Sequence, residues 1–221
     1  MDSYKLSIRG EIPLLGETSV AGGKNTSVAV APAVLLCDEP CQLENLPDIE
    51  DIHVLHRILT HLGAKVEYDP KARRMMIDPR TVNKVSVPFA FSQQMRASYY
   101  LMGALYGKFG EVECGYPGGC DIGSRPIDQH IKGFRLLGGE IEDTNGMISI
   151  SGPLCGNVVN FDMVTVGGTI NVMLAACRAK GNTVLMNAAK EPHVVDVANF
   201  LNTMGANIRG AGTDVIRIRG V

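Results

Sequence analysis

What this sequence has little of narrows the field first. It has no excess of positive charge: 21 lysines and arginines stand against 23 aspartates and glutamates, a formal net charge of -2. That removes the electrostatic footprint of a DNA or RNA binder. No apolar run approaches the ~18 residues a membrane-spanning helix needs. The opening MDSYKLSIRG lacks the apolar stretch of a secretion signal, so a cytoplasmic protein with no membrane contact is expected. No Cys-x-x-Cys pair occurs, and the 5 histidines do not stand at zinc-finger spacing from the 6 cysteines, so no metal is expected. In a reducing compartment Cys37, Cys41, Cys114, Cys120, Cys155 and Cys177 read as free thiols, most of them small buried hydrophobes. Cys120 differs, because glycines rather than apolar residues flank it.

What is present is a repeat. The 221 residues are 45% apolar, enough for a sizeable core. LGAKVEYD from Leu62, LGGEIED from Leu137 and MGANIRG from Met204 recur about every 70 residues, the size of a whole α/β unit. Upstream, Ile52, Leu55, Leu59 and Leu62 form a stripe at steps of three and four. Val194, Val197, Leu201 and Met204 repeat it, and Ile127, His130, Phe134 and Leu137 repeat it again. Such spacing marks the buried face of a helix. LPDIED, SRPIDQ and KEPHVVD supply prolines and acids as helix-start signals.

A strand-like run precedes each turn (CQLENLP, EVECGYP, TVLMNAA), and an apolar helical stretch precedes each run (NTSVAVAPAVLLC, SQQMRASYYLMGALYG, GGTINVMLAACRAKG). A strand is expected before each of those helices, in GETSVAG, NKVSV and NVVNF, and a hairpin after each glycine element, with Asn145-Gly146 as the clearest turn. Pro32 weakens the first helix without forbidding it. Each unit reads β-α-β-α-β-β, over about 16–79, 80–152 and 153–221. Residues 1–221 then form one α/β domain, with helices inside and sheets outside. The alternative is chance recurrence of α/β units in an open sheet.

Equivalent helices in equivalent units point the same way, so their N-termini gather at one end. There stand Gly22-Gly23-Lys24-Asn25, Arg96 just inside the first helix of the second unit, Arg125 at the start of its second helix, and Thr165-Val166-Gly167-Gly168. Helix N-termini carry unpaired N–H groups and partial positive charge. With one lysine and two arginines added, the face suits phosphate or carboxylate. Taken singly, Lys24 reads equally as a solvated surface lysine, Arg96 as half of an ion pair and Arg125 as a loop charge. His130, in an apolar stripe, reads as a satisfied core histidine.

AGGKNTSVAVAPAVLL, QQMRASYYLMGAL, PGGCDIGSRPIDQHI and AAKEPHVVDVANFLNTMGANIRGAGTDVIRIRGV resemble the UDP-N-acetylglucosamine 1-carboxyvinyltransferase family, from about Gly10 to Val221. The resemblance implies an enolpyruvyl transferase fold, an inside-out α/β barrel of three β-α-β-α-β-β repeats, as one of two similar domains. It implies transfer of an enolpyruvyl group from phosphoenolpyruvate to the 3′-hydroxyl of UDP-N-acetylglucosamine with release of phosphate, the first committed step of peptidoglycan synthesis. No cofactor is implied. Cys120 matches the family's general acid. Lys24, Asn25 and Arg125 match contacts to phosphoenolpyruvate. Arg96, Arg125, Pro126, Ile127, Asp128 and Gln129 match contacts to the UDP-sugar, as do Met163, Val164, Thr165 and Val166, although some members carry lysine at the Met163 position.

The residue types suit that chemistry. Cations neutralise the anionic substrates. They also favour the thiolate of a neighbouring cysteine, and bound phosphates reverse that bias. Cys120 is therefore expected to alkylate faster than the other five thiols. The two glycines before it are expected to free the loop to close over substrate. The family's base lies in its other domain, so the lone chain is expected to turn over poorly, and the region up to about Leu15 is expected to pair with that partner domain. Three rivals stay open: a shikimate-phosphate enolpyruvyl transferase, disfavoured by Asn25 and Cys120; a non-catalytic nucleotide-sugar-binding module; and a structural repeat protein without a ligand.

Overall fold

From Lys24 the chain builds a helix, a strand, a second helix and a hairpin, and it does so three times. The computed structural model describes residues 5–119 and 126–221. In the first unit α1 (Lys24–Ala33) leads to β1 (Cys41–Leu43), α2 (Glu50–His61), β2 (Lys65–Asp69) and β3 (Arg74–Asp78). The second comprises β4 (Ser86–Val87), α3 (Phe89–Ser92), α4 (Tyr100–Phe109), β5 (Glu111–Gly115), α5 (Asp128–Leu136), β6 (Glu140–Thr144) and β7 (Met147–Ser151). The third comprises β8 (Val158–Asn160), α6 (Val166–Ala176), β9 (Asn182–Met186), α7 (Pro192–Thr203), β10 (Asn207–Arg209) and β11 (Val215–Arg219).

The glycine elements end three helices in the same way. Gly63, Gly138 and Gly205 take φ of 100°, 99° and 103°, a conformation costly for any residue with a Cβ. The next N–H reaches back five residues, Ala64 to Leu59, Gly139 to Phe134 and Ala206 to Leu201, at 3.0, 2.9 and 3.1 Å. The glycine N–H groups themselves bond Thr60, Arg135 and Asn202. These paired bonds satisfy carbonyls that a helix end otherwise leaves open. The stripes upstream are buried, His130 included, with Met204 half-buried.

Among the described residues the strands form three sheets, ordered β1-β3-β2, β4-β5-β7-β6 and β8-β9-β11-β10. In the second and third, the first strand runs parallel to its neighbour and the other pairings are antiparallel. Asn145 and Gly146, both at positive φ, close the β6–β7 hairpin between Thr144 and Met147. Alternate residues such as Ile148, Ile150, Ile216 and Ile218 point into the core, while Glu111, Glu113, Arg217 and Arg219 face out. Helices α4 and α6 are apolar almost all round and buried over Tyr100–Gly107 and Gly168–Ala176, as a central helix must be. They pack on each other, α1 packs on α4, and α5 on α6. Helices lie inside and sheets outside. No helix among the described residues is long and apolar enough to cross a membrane.

Two expectations fail locally. The strand expected in GETSVAG does not form, and the first sheet keeps three strands. Leu14, Leu15 and Val20 are 97%, 94% and 85% exposed. They cover almost no surface among the described residues, so little apolar burial favours a strand there. The stretch SQQMRASYYLMGALYG is not one helix either: it breaks at an extended Met95 and restarts as a 3-10 turn, Arg96–Tyr99, that runs into α4. The carbonyls of Ser92 and Gln93 are drawn off to the N–H groups of Gly118 and Gly119, at 2.9 and 3.0 Å. Pro32 sits inside α1, and the helix tightens into a 3-10 turn, Val34–Leu36, two residues later.

Candidate active site

Three helix starts converge on one cleft of about 620 Å³. Lys24 and Asn25 line it from the first turn of α1, Arg96 from the turn that begins the α4 run, and Val166 from the start of α6. Gly22 sets the entry to α1: its N–H bonds Asn45 O at 2.9 Å, and a Cβ there would lie 2.2 Å from that oxygen. Thr165 caps α6, its hydroxyl accepting from the N–H of Gly168 at 3.2 Å.

The floor is a polar network between the central helices. Asn171 accepts the Gly103 N–H at 2.8 Å and donates to Tyr99 O at 2.8 Å and to Nδ1 of His130 at 2.9 Å. A Cβ on Gly103 would stand 2.2 Å from Asn171 O, which is how α4 and α6 come so close. Burial pushes His130 down to about 3, with the Arg96 charge adding to the shift and Asp128 opposing it. The ring is neutral, in the tautomer that accepts at Nδ1. It meets the Tyr99 ring edge-on at 4.7 Å, and the Arg96 guanidinium carbon lies 5.8 Å from the same Tyr99 ring. Tyr99 thus stacks between the cleft's arginine and the core.

Sequence reasoning missed the acids here. Asp51, Glu191 and His193 also line the cleft. Asp51 ion-pairs with Lys24, and Oε2 of Glu191 is buried without a hydrogen-bond partner among the described residues. Both acids had read as ordinary helix-start residues. The missing signal was not identity but orientation, since α2 and α7 start at the same end as α1.

The expected UDP-sugar residues divide. Pro126, Ile127 and Asp128 line a separate hollow of about 520 Å³ with Tyr116, Ile131 and Lys132. Gln129 is buried and committed: Oε1 accepts the Asp162 N–H at 2.9 Å, and Nε2 donates to the carboxylates of Asp128 and Asp162 at 2.8 and 3.1 Å. Lys132 pairs with Asp162 at 2.6 Å. That lysine first, then Gln129, holds the Asp162 carboxyl below the usual range. Gln129 therefore stitches the start of α5 to the segment before α6. On that segment Met163 and Val164 stand 61% and 56% exposed, Thr165 is spent on the cap, and Val166 reaches the cleft.

Cys120 and Arg125 lie outside the described residues. Gly119, just before them, lines the cleft, and Pro126, just after, lines the hollow. The glycine pair is also closely packed, and the loop it was expected to free lies outside the described residues. Besides their two backbone bonds, a Cβ on Gly118 would stand 2.3 Å from Gln93 O, and one on Gly119 2.9 Å from Arg96 N. Only glycine lets this strand of backbone press against the residues leading to Arg96.

The family model for EPSP synthase (3-phosphoshikimate 1-carboxyvinyltransferase) matches residues 8–221. A UDP-N-acetylglucosamine 1-carboxyvinyltransferase 3 of Caldanaerobacter subterraneus subsp. tengcongensis is 55% identical over 98% of this chain and 52% of its own length. A UDP-N-acetylglucosamine 1-carboxyvinyltransferase of Clostridium botulinum is 51% identical over the same shares. Among solved structures, the enolpyruvyl transferase NikO from Streptomyces tendae superposes with a TM-score of 0.83 at 23% identity, over 96% of this chain and 50% of that one. An EPSP synthase from Acinetobacter baumannii gives 0.72 at 20% identity, over 93% and 47%. The chain spans about half the length of the curated relatives it matches.

Proposed function

The chain belongs to the EPSP synthase (3-phosphoshikimate 1-carboxyvinyltransferase) family, and from that premise we propose that it is one half of an enzyme that moves the enolpyruvyl group of phosphoenolpyruvate to the 3′-hydroxyl of UDP-N-acetylglucosamine, releasing phosphate. The names of the relatives at 55% and 51% identity favour the UDP-sugar over a shikimate acceptor. One observation carries the reading: Lys24, Asn25 and Arg96, from different units of the repeat, share a single cleft at helix starts. That arrangement presents amide N–H groups and side-chain cations to the same anion.

In this reading Lys24, Asn25 and Arg125 hold phosphoenolpyruvate. Arg96, Arg125, Pro126, Ile127, Asp128 and the Met163–Val166 segment hold the UDP-sugar, while Gln129 acts by fixing Asp162. The sugar hydroxyl adds to the central carbon of phosphoenolpyruvate as Cys120 protonates the methylene carbon. Loss of phosphate, with one proton of the new methyl group returning to the Cys120 thiolate, then restores the vinyl group. The base that takes the hydroxyl proton belongs to a second unit of similar size, the partner this cleft would face. A cytoplasmic setting suits both substrates.

Two measurements test this. UDP-N-acetylglucosamine at ~100 times its dissociation constant should stabilise the lone chain by about 2.7 kcal/mol, and shikimate 3-phosphate should not. Phosphate release should be negligible for the lone chain and appear when the second half of a relative is added in trans. Turnover by the chain alone, or stabilisation by shikimate 3-phosphate only, would overturn the reading.

A further inference from the structure

The far end of α1 carries a second arrangement of chemistry. The helical run that starts at Lys24 finishes at Leu36, roughly 20 Å along the axis at helical rise, and Cys37 follows it. Four residues on, Cys41 opens β1. Both sulfurs close on the residue between them. The N–H of Glu39 donates to Sγ of Cys37 at 3.4 Å, and the thiol of Cys41 donates to Glu39 O at 3.6 Å. The turn is held in place: Lys108 donates to Cys37 O at 3.1 Å and ion-pairs with Asp38, and Arg80 approaches Glu39 at 3.9 Å. Cys37 and Cys41 are half-buried and open to a small reagent, whereas Cys114 and Cys177 are buried.

We propose that Cys37 and Cys41 form a redox-active dithiol, a site of reversible disulfide formation by exchange with a low-molecular-weight disulfide. The hydrogen bonds assign the roles. Sγ of Cys37 accepts a backbone N–H at 3.4 Å, a bond that the sulfur keeps when it acts as a nucleophile, so Cys37 is the attacking sulfur. Cys41 donates its proton to a carbonyl and resolves the adduct. Burial first, then the charge and hydrogen bond of Cys37, push the Cys41 thiol up to about 11, in keeping with the later role.

In the first step Cys37 attacks one sulfur of the small disulfide. That S–S bond breaks, one small thiolate leaves, and a mixed disulfide forms on Cys37. The leaving thiolate takes up the proton of Cys41. Cys41 then attacks Sγ of Cys37, the mixed bond breaks, and the second small thiolate leaves to be protonated from solvent. The two protein thiols lose two electrons and two protons, and the small disulfide gains them as two thiols. The product ties the end of the α1 run to the first residue of β1.

The test uses the full chain, reduced and then exposed to oxidised glutathione, with acid quenching and peptide mapping. A Cys120→Ser background keeps the loop thiol out of the readout. A Cys37–Cys41 disulfide is expected, forming before any adduct on exposed Cys155 and reversed by dithiothreitol. Cys41→Ser should trap glutathione on Cys37, with the adduct at least ~10-fold more abundant than without that substitution, and Cys37→Ser should load Cys41 at least ~10-fold more slowly. Adducts on Cys155 with no Cys37–Cys41 bond, or equal loading of the two serine variants, would overturn the proposal.

Discussion

At the scale of single residues, His130 shows what a buried polar group costs and what it does. Its position in an apolar stripe marked it as a core histidine, and the structure surrounds it with Asn171, Tyr99 and α6. An unfolded histidine takes up a proton below about 6.5, whereas folded His130 resists until about 3. The unfolded chain binds more protons across that window. His130's contribution is therefore whole above about 6.5 and is lost as pH falls toward 3, by up to ~1.4 kcal/mol per pH unit. Urea unfolding at a series of pH values should show this decline, and His130→Gln should flatten it. A neutral side chain in that place was legible from periodicity. Its coupling to Arg96 through Tyr99 was not, because Asn171 and Tyr99 come from two other helices.

At the scale of elements, the three helix-ending glycines give a graded prediction. A Cβ at Gly205 would meet nothing within 4 Å, whereas at Gly138 it would lie 2.4 Å from Pro153 O. Gly205→Ala should cost only the strain of positive φ, about 1–2 kcal/mol. Gly138→Ala should add a steric term of ~1–3 kcal/mol. Gly63→Ala, with Thr81 O at 2.9 Å, should fall between them, and urea midpoints of the three variants rank them. The repeat of these caps was plain in LGA, LGG and MGA, since a cap is made of neighbours in sequence. The break at Met95 was not plain. It depends on Gly118 and Gly119 taking the Ser92 and Gln93 carbonyls from more than twenty residues away.

At the scale of the molecule, the exposed opening segment matters. Leu6, Ile8, Leu14 and Leu15 are apolar and open to solvent, and the resemblance implies that the region up to about Leu15 pairs with a partner domain. Removing residues 1–15 should then change the stability of the lone chain by less than about 0.5 kcal/mol while abolishing the activity restored by the second half in trans. Equal activity with and without the segment would place the covering surface elsewhere. The three-unit plan was readable because each unit repeats its own helix stripe, cap and hairpin. The shared cleft was readable only as a direction, since equivalent helices must start at one end.

The sequence by itself determined what is written locally: where helices run and stop, which faces are apolar, and that basic residues stand at helix starts. Those features depend on residues within one or two turns of each other. The tertiary structure alone decided that Asp51 and Glu191 join Lys24 and Arg96, that Gln129 is spent on Asp162, and that Gly118-Gly119 is a close-packed seam. Each of these is a contact between distant segments, set by how three units pack around α4 and α6, and no local pattern encodes it.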